Sequence, residues 1–259
     1  MTIKIASFNV NSIRAREPRT VEWLALTKPD IVCMQELKVD DDAFPTLLFK
    51  SHGYSSATFG QKTYNGVAIL SRAPITEVTR GLGDGEPDPQ ARFISGKTAG
   101  ITVISAYFPN GESKDSDKFQ YKLRWLSRLT TYLQKKIEAG EEFILAGDFN
   151  IAPEDIDCHE PALWADSVLS CKEVRHAWKK IVALGLIDTV RAAHPDTPEF
   201  TWWDYRMLSF PKRKGLRIDH LLATASLAKR VQAAGVDRDA RKGKLPSDHA
   251  PVWIELSDA

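Results

Sequence analysis

The chain has 259 residues, 43% of them hydrophobic, which is enough for a large core and fits either two domains or one extended β-rich unit. Lysine plus arginine (35) nearly cancels aspartate plus glutamate (34), so the net charge of +1 excludes a globally basic polyanion-binding surface and leaves only local ones. The three cysteines, Cys33, Cys158 and Cys171, have neither paired nor zinc-finger spacing, which argues against a disulfide framework or a structural zinc and suits a reducing cytoplasm.

Ile3 to Phe8 reads as a short strand that breaks at Asn9-Val10-Asn11-Ser12. No window approaches the roughly 18 uninterrupted apolar residues of a membrane span, and no long apolar leader precedes this strand. A soluble, unexported protein that does not bind membranes is expected. Ala15 to Thr27 follows with Val21, Leu24 and Ala25 at helical spacing. Pro29 to Lys38 repeats the design, its apolar strand closing on Gln35-Glu36, where a buried charge needs a partner or access to water. Tyr54 to Phe59, Gly66 to Leu70, Ile75 to Val78, Gln90 to Ile94 and Ile101 to Phe108 read as a β-meander of short strands. The last of them ends at Tyr107-Phe108-Pro109-Asn110. Asp117 to Ala139 is predicted helical from Phe119, Leu123, Leu126, Leu129, Leu133 and Ile137, with Gly140 as the stop. Lys118, Lys122, Arg124, Arg128, Lys135 and Lys136 are assigned to its solvated face.

Phe143 to Asn150 is the stretch the rest of the chain serves. An apolar strand ends abruptly in Gly147-Asp148-Phe149-Asn150, and side chains two apart leave a strand on the same side. Asp148 and Asn150 would then share one small space, where a carboxylate can orient water or bind a divalent cation and an amide can donate to a phosphoryl oxygen. Taken alone, Gly-Asp-x-Asn is more often ordinary turn chemistry. Lys172 to Leu184 is an amphipathic helix on Val174, Trp178, Ile181 and Val182. Phe200 to Arg206 is dense in aromatics, and Met207 to Gly215 is a loop carrying Lys212-Arg213-Lys214, the most concentrated basic run. Leu216 to Ala223 resumes a strand with Asp219 inside it, and Asp248-His249 stands just before a last strand. No repeat, linker or composition shift divides the chain, so residues 1–259 are expected to be a single domain.

Each of these polar residues has a bland explanation, but the same explanation must serve at Asn9 and Asn11, Glu36, Tyr107, Asp148 and Asn150, Asp219, and Asp248-His249. If these strand ends converge on one rim of a β-sandwich, the rim holds several carboxylates, two or three amides, a tyrosine and a histidine. Clustered oxygen ligands suit magnesium or manganese rather than zinc. The matching reaction is metal-assisted hydrolysis of a phosphate ester by water. A serine-triad hydrolase fits poorly, because the chain has no G-x-S-x-G elbow.

In order along the chain, Ser7-Phe8-Asn9-Val10-Asn11-Ser12-Ile13-Arg14-Ala15, Pro29 to Lys38 with its Gln-Glu-x-Lys ending, Gly147 to Asn150, Trp202 to Arg206, Gly215 to Leu222 and Ser247 to Pro251 resemble the exonuclease III family of abasic-site endonucleases, within the deoxyribonuclease I-like superfamily. The Gln-Glu-x-Lys and Phe-Thr-Trp-Trp-Asp-Tyr-Arg stretches point to the DNA-repair branch. The resemblance implies a four-layer α/β sandwich, with two packed mixed sheets flanked by helices, as a single catalytic domain. It implies hydrolysis of the phosphodiester 5′ to abasic sites, together with 3′-5′ exonuclease and 3′-end-cleaning activity. The implied substrate is double-stranded DNA with abasic sites or blocked or recessed 3′ ends, cut by a cytoplasmic monomer. Carried across residue by residue, Glu36 is the principal ligand of Mg2+ or Mn2+, with Asn9, Asn11, Asp148, Asn150, Asp248 and His249 around metal and phosphate. Asp148 orients or deprotonates water, Asn150 supports the transition state, His249 donates to a non-bridging oxygen, Asp219 holds His249, and Tyr107 binds phosphate or assists the leaving group. A carboxylate beside the imidazole is expected to raise its pKa. Asparagine at position 11, where some relatives carry aspartate, implies one tight metal. Arg92, Trp202, Lys212, Arg213, Lys214 and the helix around Arg175 are the DNA-contacting candidates.

Two other readings compete. A non-enzymatic nucleic-acid-binding regulator on the same fold would show a broken Glu36, Asp148 or His249 position, and none is broken. A lipid or inositol phosphatase could use the same metal chemistry, but the chain has no membrane-binding segment and the Trp202 stretch matches the nucleases.

Overall fold

The computed structural model describes residues 2–257; Met1, Asp258 and Ala259 lie outside the described residues. The first half of the chain forms β1 (Thr2–Asn9), α1 (Ile13–Thr27), β2 (Ile31–Gln35), α2 (Thr46–Ser51), β3 (Ser55–Phe59), β4 (Val67–Ser71), β5 (Thr76–Arg80), β6 (Phe93–Thr98) and β7 (Ile101–Tyr107). The second half forms α3 (Asp117–Glu138), β8 (Phe143–Asp148), α4 (Pro161–Trp164), α5 (Lys172–Val182), β9 (Ile187–Asp188), α6 (Thr189–Ala193), β10 (Asp219–Ala223), α7 (Ala225–Ala228), β11 (Val231–Val236) and β12 (Val252–Ser257).

The central strands are apolar on both faces, and alternation sorts their side chains into layers. Ile5 of β1, Ile31 and Cys33 of β2, Val103 of β7, and Ile144 and Ala146 of β8 point into one shared core between two sheets. The intervening Ala6, Phe8, Val32 and Met34 pack with Trp23 and Leu24 of α1. Ile104, Ala106, Phe143 and Leu145 pack with Phe119, Leu126, Leu129 and Leu133 of α3 and with Val174 and Ile181 of α5. The chain is therefore a four-layer α/β sandwich. One six-stranded sheet runs β11-β12-β1-β2-β4-β3 and the other β5-β6-β7-β8-β10-β9. Each has one parallel pair near its middle, β1 with β2 and β7 with β8.

The sequence-read strands are present, but not as one meander. Those from Tyr54 onward divide between the two sheets, because β4 pairs with β2 and β6 with β7. The strand expected at Gln90–Ile94 starts at Phe93, which leaves Arg92 just before it, and the strand expected from Leu216 starts at Asp219. The short α2, α6 and α7 and the edge strand β11 carry little periodicity; β11 is half alanine and glycine. The solvated-face assignment of Lys122 is wrong. Lys122 is completely buried, because it lies three residues after Phe119 and four before Leu126, inside the apolar stripe of α3. No helix among the described residues is long and apolar enough to cross a membrane.

Toward one end of the shared core the inward positions turn polar. Ser7 Oγ donates to Gln35 Oε1 at 3.3 Å, Gln35 Nε2 donates to Ser105 Oγ at 3.2 Å, and Ser105 Oγ donates to the Met34 carbonyl at 3.0 Å. All three side chains are buried, so this bonded layer satisfies groups that would otherwise be destabilising. It forms the floor on which the next inward residues stand.

Candidate active site

Beyond that floor, alternation delivers Asn9 from β1, Tyr107 from β7 and Asp148 from β8. Register aligns them: Tyr107 pairs with Asp148, and Asp148 pairs in turn with Asp219 of β10. Close approach of β7 and β8 at this row requires Gly147, since a Cβ there would lie 1.9 Å from the Ala106 carbonyl oxygen. Glu36, Asn11, Ser12 and Lys38 in the β1 and β2 exits, and Asn150 after β8, all have positive φ, between 45° and 82°. Non-glycine residues rarely adopt this conformation, and here it turns successive side chains back over the rim.

The two sheets are joined across the rim by amides. Asn9 Nδ2 donates to Glu36 Oε1 at 2.8 Å and to Asp148 Oδ2 at 2.9 Å, while its Oδ1 accepts from the Asn11 N–H at 3.0 Å. Asn11 Nδ2 donates to Asp248 Oδ1 at 2.9 Å, and its Oδ1 accepts from Lys38 Nζ at 2.6 Å. Lys38 also lies 2.9 Å from Glu36 Oε2. Trp202 Nε1 donates to Asp248 Oδ2 at 3.0 Å. Ser247 Oγ donates to the Asn9 carbonyl at 2.7 Å and accepts from the His249 N–H at 3.2 Å, which anchors the Asp248-His249 turn onto β1.

Asp148 and His249 form the buried centre. His249 Nδ1 sits 2.8 Å from Asp219 Oδ2, and Nε2 lies 3.7 Å from Asp148 Oδ2. Burial alone would strip the imidazole of its proton, but Asp219 and then Asp148 overcome it and lift the pKa to about 10. Burial pushes the Asp148 carboxyl up to about 7, with Asp219 and Glu36 adding to the rise and His249 opposing it. Burial also raises the Tyr107 phenol well above its usual value, helped by Glu36 and Asp148. Asp248 is held below the usual carboxylate range: burial works the other way, but His249 and the donors on Trp202 and Asn11 prevail.

Asn150 is held on every side. Its backbone N–H donates to Asp148 Oδ1 at 2.9 Å, its Nδ2 donates to the Phe108 carbonyl at 3.0 Å, and its Oδ1 accepts from Asn110 Nδ2 at 2.9 Å. Glu36, Asp148 and His249 each offer a ligand atom within 4.8 Å of the others. Converging carboxylates, with Asp148 destabilised as an anion first by burial and further by Asp219 and Glu36, are a donor set that fits a hard divalent cation. The imidazolium state of His249 leaves Glu36 and Asp148 as the oxygen donors of that group.

The other sequence-named residues flank this centre. Arg92 is largely buried; its guanidinium lies 4.7 Å from the Tyr107 ring centroid and donates to the Tyr107 carbonyl at 3.2 Å. The ring of Trp164 stands perpendicular to that of Trp202 at 6.2 Å. Lys212 and Arg213 are exposed, and Lys214 is 2.8 Å from Glu160. Arg175 donates to Asp155 Oδ1 at 2.8 Å. Sequence reasoning missed Asn110 and Lys122. Asn110 reads as a turn residue, and only its place in the apolar stripe of α3 could have singled out Lys122.

Residues 6–249 match the model of the endonuclease/exonuclease/phosphatase family. The chain is 34% identical over 266 residues to exodeoxyribonuclease III of Haemophilus influenzae, covering 98% of this chain and 100% of that one. Among solved structures, it matches the 3′ phosphatase NExo from Neisseria bound to product DNA hairpin with a TM-score of 0.96 at 40% identity, covering 99% of this chain and 100% of that one. An AP endonuclease from Archaeoglobus fulgidus matches with a TM-score of 0.95 at 43% identity, covering 99% and 100%.

Proposed function

The chain belongs to the endonuclease/exonuclease/phosphatase family, and from that premise we propose that it is a metal-dependent DNA repair nuclease of the exonuclease III type. It hydrolyses the phosphodiester 5′ to abasic sites and processes 3′ ends of double-stranded DNA as a 3′-5′ exonuclease, phosphatase and phosphodiesterase. The observation that carries this reading is the row of half-buried Tyr107 with buried Asp148 and Asp219, joined through His249 and Asn9 to Glu36 on the opposite sheet. Residues 1–259 act as one catalytic domain, since the site draws Asn9 and Glu36 from one sheet and the row of Tyr107, Asp148 and Asp219 from the other. A cytoplasmic monomer acting on abasic, blocked or recessed duplex ends completes the proposal.

Glu36 is the principal ligand of Mg2+, with Mn2+ as a substitute; Asp148 offers an oxygen to the same group, and Asp248 is tied to the rim through Asn11. Asn9, Asn11 and Asn150 keep these carboxylates apart and oriented through the bonds their amides already make. When bound, the cation supplies Lewis-acid charge at the phosphoryl oxygens. Asp148, fixed by Asn9 and the Asn150 N–H and with a pKa near 7, takes the proton of the attacking water near neutral pH. The His249 imidazolium, oriented by Asp219, donates from Nε2 to a non-bridging oxygen as negative charge builds there. Tyr107 stays protonated and donates to the phosphate or to the departing 3′ oxygen. Lys212, Arg213 and Lys214 supply phosphate contacts, Arg92 backs Tyr107, and Trp202 walls the pocket for an extruded abasic sugar.

The test is direct. The purified protein should cut a duplex at a single abasic site and release phosphate from a 3′-phosphate hairpin in magnesium, and excess chelator should stop both. Asp148→Asn should lose both activities by about a hundredfold or more in kcat. Undiminished turnover in chelator, or in Asp148→Asn, contradicts the proposal.

A further inference from the structure

The Lys122 ammonium, fully buried under the rim, touches no carboxylate among the described residues and instead donates to three backbone carbonyls: Asn110 at 3.0 Å, Asn150 at 2.7 Å and Val168 at 2.7 Å. A lysine is almost never buried without partners, and these partners use all three of its donors. They lie on three separate segments: the exit of β7, the exit of β8, and the approach to α5. Two of them carry the side chains that meet beside Asp148, where Asn110 Nδ2 bonds Asn150 Oδ1 and Asn150 Nδ2 bonds the Phe108 carbonyl. Asn150 has φ of +50°, a strained conformation, and the clamp fixes the carbonyl immediately after it. The lysine stem runs directly beneath Gly111, where a Cβ would meet Cδ of Lys122 at 3.2 Å.

We propose that Lys122 is a positioning residue for phosphodiester hydrolysis: its ammonium knots the Asn110, Asn150 and Val168 segments together and so holds the Asn110–Asn150 amide pair in register with Asp148. The proposal rests on the nuclease reading above. Lys122 touches no reacting atom, so its loss acts on kcat through Asn150 and leaves duplex binding alone. A packing role alone would instead lower stability and leave turnover by the folded protein unchanged.

The test uses Lys122→Met, which keeps the length of the stem and removes the donors. Steady-state kinetics on an abasic duplex in magnesium should show kcat lowered about thirtyfold with KM within about threefold, on protein confirmed folded by thermal melt. The double variant Lys122→Met/Asn150→Ala should be no worse than Asn150→Ala, because both act through one amide. Hydrogen exchange without DNA or metal should speed up together in segments 108–112, 149–152 and 168–171 and be unchanged in β1 and β2. That arm tests the clamp even if the parent protein proves inactive on DNA, an outcome that overturns the nuclease reading instead. Parental kcat in folded Lys122→Met, additive losses in the double variant, or unchanged exchange in the three segments overturns the proposal. If Lys122→Met does not fold, Lys122→Gln, with one amide donor retained, carries the same kinetic and exchange expectations.

Discussion

His249 lies between two carboxylates with opposite demands: Asp219 bonds its Nδ1 and stabilises its charge, whereas Asp148 must give up a proton to become a base. With the carboxyl near 7 and the imidazole near 10, kcat/KM should rise as Asp148 deprotonates and fall on the alkaline side as His249 does. Metal bound at Glu36 moves the acid limb lower by favouring the Asp148 anion. Asp219→Asn removes the strongest support for the imidazolium, so the alkaline limb should move down in pH and kcat should fall about a hundredfold. His249→Ala should match it at neutral pH, and the double variant should be scarcely worse, as measured by pH-rate profiles of all three proteins. Trp202 is the other residue with a separable effect. Its indole N–H braces Asp248, while its ring is only partly buried and meets Trp164 edge-on. Trp202→Ala should lose abasic-site cleavage selectively relative to removal from a recessed 3′ end. Equal losses tracking a lower Tm would make it a packing residue.

The loop from Trp203 to Lys214 illustrates how an element divides its charges. Trp203 is buried and fixed by Gly215, whose Cβ would come within 2.5 Å of Trp203 Nε1, so the loop is pinned at both ends. Met207, Leu208, Lys212 and Arg213 project from it into solvent, while Lys214 is already paired with Glu160. Replacing Lys212 and Arg213 with alanine should therefore weaken binding to all duplexes alike and flatten the plot of log affinity against log salt by about 0.9 for each phosphate no longer neutralised. Lys214→Ala should change the slope less. Fluorescence-anisotropy titrations at several salt concentrations would check both, and an unchanged slope in the double variant would return the loop to a solvated surface.

At the scale of the whole molecule, the site is the polar mouth of the core that binds the two sheets. Glu36 reaches it from one sheet, Asp148 and Asp219 from the other, and their mutual repulsion is directed at the seam. A divalent cation bound only by the native state relieves that repulsion and stabilises the fold by mass action. Magnesium should raise Tm in a concentration-dependent way, and Glu36→Gln should need a higher concentration for the same rise. Calorimetry with and without chelator is the check; an unchanged Tm in the parent protein would remove Glu36 as a metal ligand.

Local chemistry wrote much of this plan into the chain. Apolar runs closing on Asn9, Glu36, Tyr107 and Asp148 reveal the strands and their functional ends, because a buried strand tolerates a polar terminus only where other groups satisfy it. The stripe from Phe119 to Ile137 reveals α3 through its period. The sequence also supported one shared pocket, by the repetition of polar strand ends. Pairing partners were beyond it: the row of Tyr107, Asp148 and Asp219 depends on register between strands as far apart as β7 and β10, which no local window contains. Strain at Glu36 and Asn150 is likewise invisible until the rim closes over them. Lys122 marks the boundary most sharply. Its spacing places it in the buried stripe, its charge argues for solvent, and only three carbonyls arriving from distant segments decide that it stays inside.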